Sequence, residues 1–292
     1  MAYYSGQTAS YQELLNSIVS ACASNGWAWA NEILSKGQIG IKLQVVSNQI
    51  TALAGNGNTL ANPAPAVVRM GALDGQSTTF PIDYHLFIFG NPDEVFCIVK
   101  NNIDKFFWLC FGQSSINLPA SGVWVSANKA ATGSQSVNIG VSEGGIGYTG
   151  SPTPAAPFWN THDCHNSFFN HGLEAQWNHN SGTALNTIGS VIANNHMGAL
   201  ISRQPNAWNA GTILLPIMPL VLRESSKKSQ VAEIINARFL RVDNYEPEQI
   251  ITYGADNWKI FPFYKKDMLN KDGGDYRDSS GTFGWAIRYD GP

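Results

Sequence analysis

The clearest periodic signal in the chain is a helix near its start. Leu14, Leu15, Ile18, Val19 and Cys22 recur at the three-and-four spacing that lines one helical face. Ser10 stands where an N-cap belongs, Glu13 completes a capping box, and Asn25-Gly26 supplies a C-terminal stop. Beyond Trp27 and Trp29, Ile39–Val46 alternates like a strand. Residues 54–66, rich in Gly, Asn and Pro, read as a loop.

Ile82–Gln113 carries the strongest strand pattern. It holds three runs, Tyr84–Phe89, Val95–Val99 and Lys105–Phe111, separated by Gly90-Asn91-Pro92-Asp93 and by Asn101–Asp104. A two-residue turn at Asn102-Ile103 would pair position 97 with 108 and 95 with 110. One face would then carry Val95, Cys97, Val99, Phe106, Trp108 and Cys110, and the other Phe96, Ile98, Phe107, Leu109 and Phe111. Both faces are apolar, so the meander is predicted to be a central antiparallel sheet covered on both sides, by the chain's own helix or by another subunit.

Residues 112–160 lose this pattern and turn rich in Gly, Ser, Asn, Thr and Pro. Order returns after residue 185. Ile213–Leu222 reads as a strand broken by Pro216 and Pro219, and Ile234–Val242, Trp258–Tyr264 and Thr282–Tyr289 alternate as further strands. The expected fold is mainly β with an N-terminal helix (α+β): antiparallel sheets with long Gly/Asn/Ser-rich loops. Three parts are expected. Residues 1–111 hold the helix and meander, 112–210 a loop-rich insertion or second lobe, and 211–292 a β segment packing back on the first part. The chain closes on Thr282–Tyr289 without a polar tail, which predicts a final strand tied into a sheet beside the N-terminal unit. No internal repeat is visible.

Charge changes the picture. Residues 1–222 hold 7 Lys/Arg and 10 Asp/Glu, whereas the last 70 residues hold 11 of each. Between Lys105 and Arg203 only Lys129, Glu143, Asp163 and Glu174 intervene. Lys and Glu normally coat a monomer because they tolerate burial least. So long an uncharged stretch predicts coverage by neighbouring copies. The net charge of −3 argues against nucleic acid as a partner. No apolar run approaches the roughly 20 residues of a membrane span, and the start has neither a basic n-region nor an apolar h-region. The chain is therefore expected to stay in the cytoplasm until lysis. Cys22, Cys97, Cys110 and Cys164 are expected as reduced thiols, Cys97 and Cys110 being diagonal neighbours on one face of the meander.

Candidate chemistry is sparse. His162-Asp163-Cys164-His165, followed by His171 and His179, gathers zinc-type ligands, but the spacing matches no closed zinc module. The Asn-rich context reads instead as a polar loop. Gly140-Val141-Ser142-Glu143-Gly144-Gly145 lacks the strand–turn–helix setting of a nucleophile elbow. Asp93-Glu94 read as turn residues, and the pair Glu246/Glu248 shows no convergence across a cleft. No catalytic, cofactor-binding or metal-binding residue is assigned, and no cofactor is expected.

The ends of the chain resemble a family of tailed-bacteriophage virion proteins. The likeness lies in Ala2-Tyr3-Tyr4-Ser5-Gly6, in Asn25-Gly26-Trp27-Ala28-Trp29 with Ile33-Leu34-Ser35-Lys36-Gly37, and in two segments near the close. These are Trp258-Lys259-Ile260-Phe261-Pro262-Phe263-Tyr264-Lys265-Lys266 and Gly281-Thr282-Phe283-Gly284-Trp285-Ala286-Ile287-Arg288-Tyr289. It covers roughly the first 45 and last 60 residues. It implies a non-enzymatic structural component of the tail, at the baseplate or tail tip, assembling in the host cytoplasm into a symmetric oligomer. Its implied partners are other copies of itself, other tail proteins of the virion and a host-surface receptor. Two other readings are a receptor- or glycan-binding fibre module using Trp124, Tyr148, Trp159 and Trp177, and a metal-dependent hydrolase built on His162–His179.

Overall fold

The computed structural model describes residues 1–71, 77–101, 105–128, 167–173, 177–179, 191–192, 213–222, 228–242, 244–263 and 283–291. Within them the chain is mainly β, in three sheets with one helix. The helix spans Tyr11–Ala23. Ser10 Oγ accepts from Glu13 N at 3.1 Å, and Glu13 Oε2 reaches back to Ala9 N at 2.7 Å. At the other end Gly26 takes φ +83°, which lets Trp27 N return to Cys22 O at 3.1 Å.

The N-terminal sheet is a plain meander of Ala28–Ala30, Ile33–Lys36, Ile39–Val46, Gln49–Asn56 and Val68–Gly71. Its turns Asn31-Glu32 and Ser47-Asn48 have positive φ at both central positions, the twist that two-residue hairpins require. The expected loop 54–66 is therefore shorter at its start, because Ala54, Gly55 and Asn56 still pair with Ile41, Gly40 and Ile39. These small residues looked like a loop because Ala and Gly carry no strand signature.

The central sheet runs in the order Ala2–Thr8, Ile82–Gly90, Asp93–Lys100, Phe106–Gln113, Val123–Ala127, Ser167–Asn170, Trp177–His179, Val191–Ile192, Leu220–Leu222 and Lys228–Gln230. The opening residues Ala2–Thr8, which were not read as a strand, pair along their whole length with Ile82–Ile88. Every described strand of 112–210 extends this same sheet. Pairing is antiparallel except for one parallel bridge, His179 to Val191. The third sheet has the order Leu215–Ile217, Ile234–Arg241, Phe283–Arg288, Asp256–Pro262 and Ile250–Tyr253. The proline-broken segment thus divides between sheets, with Leu215–Ile217 in the third and Leu220–Leu222 in the central one.

The meander's register differs from expectation by one residue. Phe96 faces Cys110, Cys97 faces Leu109, and Ile98 faces Trp108. The hairpin closes through Asn101 N to Lys105 O at 2.9 Å, leaving three residues in the turn instead of two. A one-residue slip exchanges faces. Phe96, Ile98, Phe106, Trp108 and Cys110 therefore share one face, and Val95, Cys97, Val99, Phe107, Leu109 and Phe111 the other. Cys97 and Cys110 lie on opposite faces and cannot bridge. Cys22, Cys97 and Cys110 are all buried thiols. Burial pushes the Cys97 thiol up to about 12 and the other two well up as well.

Both faces are covered by the chain itself. On the odd-numbered face of the Phe106–Gln113 strand, Phe111 meets Trp27 edge-on at 5.6 Å, below the helix and the N-terminal sheet. On the even-numbered face, Trp108 and Phe96 meet Trp285 of the third sheet at 5.5 and 6.0 Å. Trp108 Nε1 donates to Phe263 O at 3.0 Å. The result is three layers, with the helix layer and the C-terminal strand on opposite sides of one central sheet and within one continuous core. This also accounts for part of the missing charge. Phe106–Phe111, Val123–Ala127 and Ser167–Asn170 are core strands, closed off by this chain's own layers.

Candidate functional site

Among the described residues, the buried charged side chains Glu94, Arg241 and Lys259 belong to the central and third sheets, and a cluster of polar groups lies where these two meet. Tyr3 and His85 come from neighbouring central strands and stack at 6.1 Å. Tyr3 Oη lies 2.7 Å from His85 Nδ1 and accepts from Lys259 Nζ at 3.1 Å. Lys259 also sits over the Tyr3 and Tyr289 rings, at 5.2 and 5.4 Å. On its other side His85 Nε2 is 3.2 Å from Glu248 Oε2, a contact more electrostatic than directional because the donor angle is poor. Glu248 Oε1 accepts from Lys100 at 2.6 Å. Glu248 has φ +70°, a left-handed conformation that side chains with a Cβ rarely adopt. His85, then Lys100, hold its carboxyl down at about 2. A Tyr–His–Glu series has the look of a proton relay, yet both ring nitrogens of buried His85 face protein groups. Its chemistry here is to lock two sheets together.

The second interior charge is Glu94, fully buried opposite Gly112. A Cβ at position 112 would come within 2.9 Å of the Trp124 ring and 2.5 Å of Asp93 O, so only glycine fits beside the carboxylate. Glu94 accepts from Ile235 N at 3.0 Å, Asn236 N at 3.1 Å and Asn236 Nδ2 at 2.8 Å. Burial outweighs these donors and lifts its carboxyl to about 7. The expected turn role fits Asp93, which pairs with Lys36 at 2.7 Å. It does not fit Glu94, which points inward because it is one position further along the pleat.

Glu94 and Glu248 act on stability in opposite senses. Glu94 has a folded value above its ordinary 4.5, so the folded chain holds the extra proton. Its contribution is full below pH 4.5 and is lost as the pH rises through 7, by roughly 3 kcal/mol. Glu248 has a depressed value, so its contribution is present above 4.5 and is lost as the pH falls toward 2. Urea unfolding from pH 4.5 to 8 is expected to show declining stability, and Glu94→Gln to flatten that decline. An equal slope in both proteins would refute the assignment.

A third feature opens to solvent. A cleft of roughly 530 Å³ lies where the N-terminal and central sheets meet, lined by Gln38, Asn56, Asn62, Gln113, Pro119, Ala120, Ser121, Asn170 and Gly172. Gln113 Nε2 donates to Ser121 O at 2.8 Å, and Ser121 Oγ to Asn56 Oδ1 at 2.7 Å. Trp177 Nε1 donates to Asn62 O at 2.8 Å.

The residues weighed from sequence fall elsewhere. His162, Asp163, Cys164, His165, Gly140–Gly145, Tyr148 and Trp159 lie outside the described residues. His171 is buried, and its Nδ1 accepts from Leu173 N at 3.1 Å. No three His, Cys, Asp or Glu side chains gather as a metal site among the described residues. Trp124 and Trp177 are buried, so neither offers an open stacking face to a glycan. Among the described residues no helix is long and apolar enough to cross a membrane. Sequence reasoning gave Tyr3, His85 and Lys259 no site role, took Glu94 for a turn residue, and weighed Glu248 only as a partner of Glu246. The one visible signal was a His and a Glu set within otherwise apolar runs. No protein-family model and no curated protein matches the chain.

Proposed function

We propose that the chain is a non-catalytic structural component of a bacteriophage tail, at the baseplate or tail tip, working within a symmetric oligomer. Its partners are further copies of itself and other tail proteins. The observation that carries this reading is a pair of sheet edges that no strand among the described residues covers. Ala28–Ala30 ends the N-terminal sheet and Ile250–Tyr253 ends the third sheet. Trp29, Ile250 and Tyr253 are 38%, 48% and 50% exposed on them. Both strands are short, three and four residues, but neither contains a Pro or a charged residue, two of the devices by which monomers discourage strand addition. Such edges suit main-chain pairing between subunits. Support also comes from the terminal motifs and from interior charges that tie layers together.

Sedimentation velocity at micromolar concentration is expected to show a closed oligomer, and Ile250→Lys, at an exposed position, to shift it toward monomer. Gold-labelled antibody to the chain should decorate the tail end of purified virions. A clean monomer over a wide salt range, or label confined to heads, would defeat the reading.

A further inference from the structure

The cleft between the N-terminal and central sheets has a chemistry unlike the rest of the surface. Gln38, Asn56, Asn62, Gln113, Ser121 and Asn170 line it, and no described lining residue is charged. Ser121 Oγ is spent on Asn56 and Gln113 Nε2 on Ser121 O, which leaves the second amide atoms of Asn56 and Gln113, with the exposed amide of Gln38, to set donors beside acceptors. A vicinal diol needs that same alternation. A phosphate or carboxylate would find no cation, and a lipid or aromatic ligand would find no broad apolar wall.

The walls are held before any ligand arrives. Asn56, Ser121 and Gln113 are joined through the bonds already described, and Gly122 N donates to Asn170 O at 3.0 Å. Gly172, at φ +69°, lets the chain pack so closely that a Cβ would lie 2.9 Å from Ala120 Cβ. Asn62, at φ +48°, is pinned through its carbonyl by Trp177. Among the described residues its Nδ2, which is shut off from solvent, meets no acceptor.

We propose that this cleft binds a neutral, hydroxyl-rich sugar unit, with the Asn62 and Gln38 amides among its hydrogen-bonding partners. The inference is independent of the tail assignment, because it rests on the cleft alone.

The test is saturation-transfer NMR and calorimetry on the full chain. The probes are maltose, lactose and diacetylchitobiose as neutral sugars, and sialyllactose as a charged one. At least one neutral disaccharide should bind at millimolar concentration, more tightly than sialyllactose. Asn62→Gly keeps the left-handed backbone and removes the amide. Gln38→Ala removes an exposed side chain. Each should weaken binding about tenfold, the weight of one or two hydrogen bonds, with unchanged thermal unfolding. Should Asn62→Gly fail to fold, Gln38→Ala decides the matter alone. No binding by any neutral probe, equal affinity in Gln38→Ala, or preference for sialyllactose would overturn the proposal. Longer oligomers of the best disaccharide separate a polymer ligand, bound more tightly with length, from a free small sugar, bound equally.

Discussion

A chain cut after residue 281 is expected not to fold. The strand Phe283–Arg288 is not at an edge. It pairs with Ile234–Arg241 on one side and with Asp256–Pro262 on the other, so its loss splits the third sheet. Trp285 and Ile287 are fully buried against the central sheet, and Tyr289 meets Tyr3 edge-on at 5.0 Å. Losing a buried Trp costs about 3–5 kcal/mol and a buried Ile about 2–5. Together these approach the whole stability of a domain, about 5–15 kcal/mol, before any lost strand pairing is counted. Circular dichroism and cooperative urea unfolding give the readout. A truncated chain that melts at the full-length temperature would mean that the third layer is dispensable.

Trp108→Ala is the second large effect, with an expected loss of about 3–5 kcal/mol. Trp108 lies in the middle layer, packed on Trp285, and its indole N–H satisfies Phe263 O. Substitution opens a cavity and also orphans that carbonyl, so Trp108→Phe, which restores most of the volume, should still lose about 1 kcal/mol. Chemical denaturation measures both. A loss under about 1 kcal/mol for the alanine variant would show that the two sheets do not meet there.

Much of this architecture was legible where one residue type dominates a short span. The helix announced itself through Leu14, Leu15, Ile18 and Cys22, and the meander through runs too apolar to face water on either side. What escaped depended on features that composition does not encode. The register slipped because a three-residue turn and a two-residue turn look alike in Asn101–Lys105. Ala2–Thr8 was missed because its middle, Ser5, Gly6 and Gln7, lies exposed at a sheet edge, where these residues serve as well as Val. Gln49–Asn56 was missed because a strand below a helix favours Ala52 and Ala54 over bulkier residues. The seam contacts were invisible for a simpler reason. Glu94 meets Ile235 and Asn236 across 141 and 142 residues. Sequence proximity, the only proximity a sequence displays, pointed instead to the histidines after Asn160.

The pairing of Ala2–Thr8 with Ile82–Gly90 also imposes an order of events in time. Ala2–Thr8 has no partner until some eighty residues further along the chain have been made, at a synthesis rate of about 5–20 residues per second. The hairpins of residues 28–71 are local and can close while translation proceeds. Ala2–Thr8 must wait, solvated, and its Ser, Gly and Gln keep it harmless meanwhile. The third sheet waits longer still, since its central strand Phe283–Arg288 follows both of the strands it pairs with. Until then the even-numbered face of the meander, with Phe96 and Trp108, stands bare, and that interval is when the nascent chain is most exposed to aggregation.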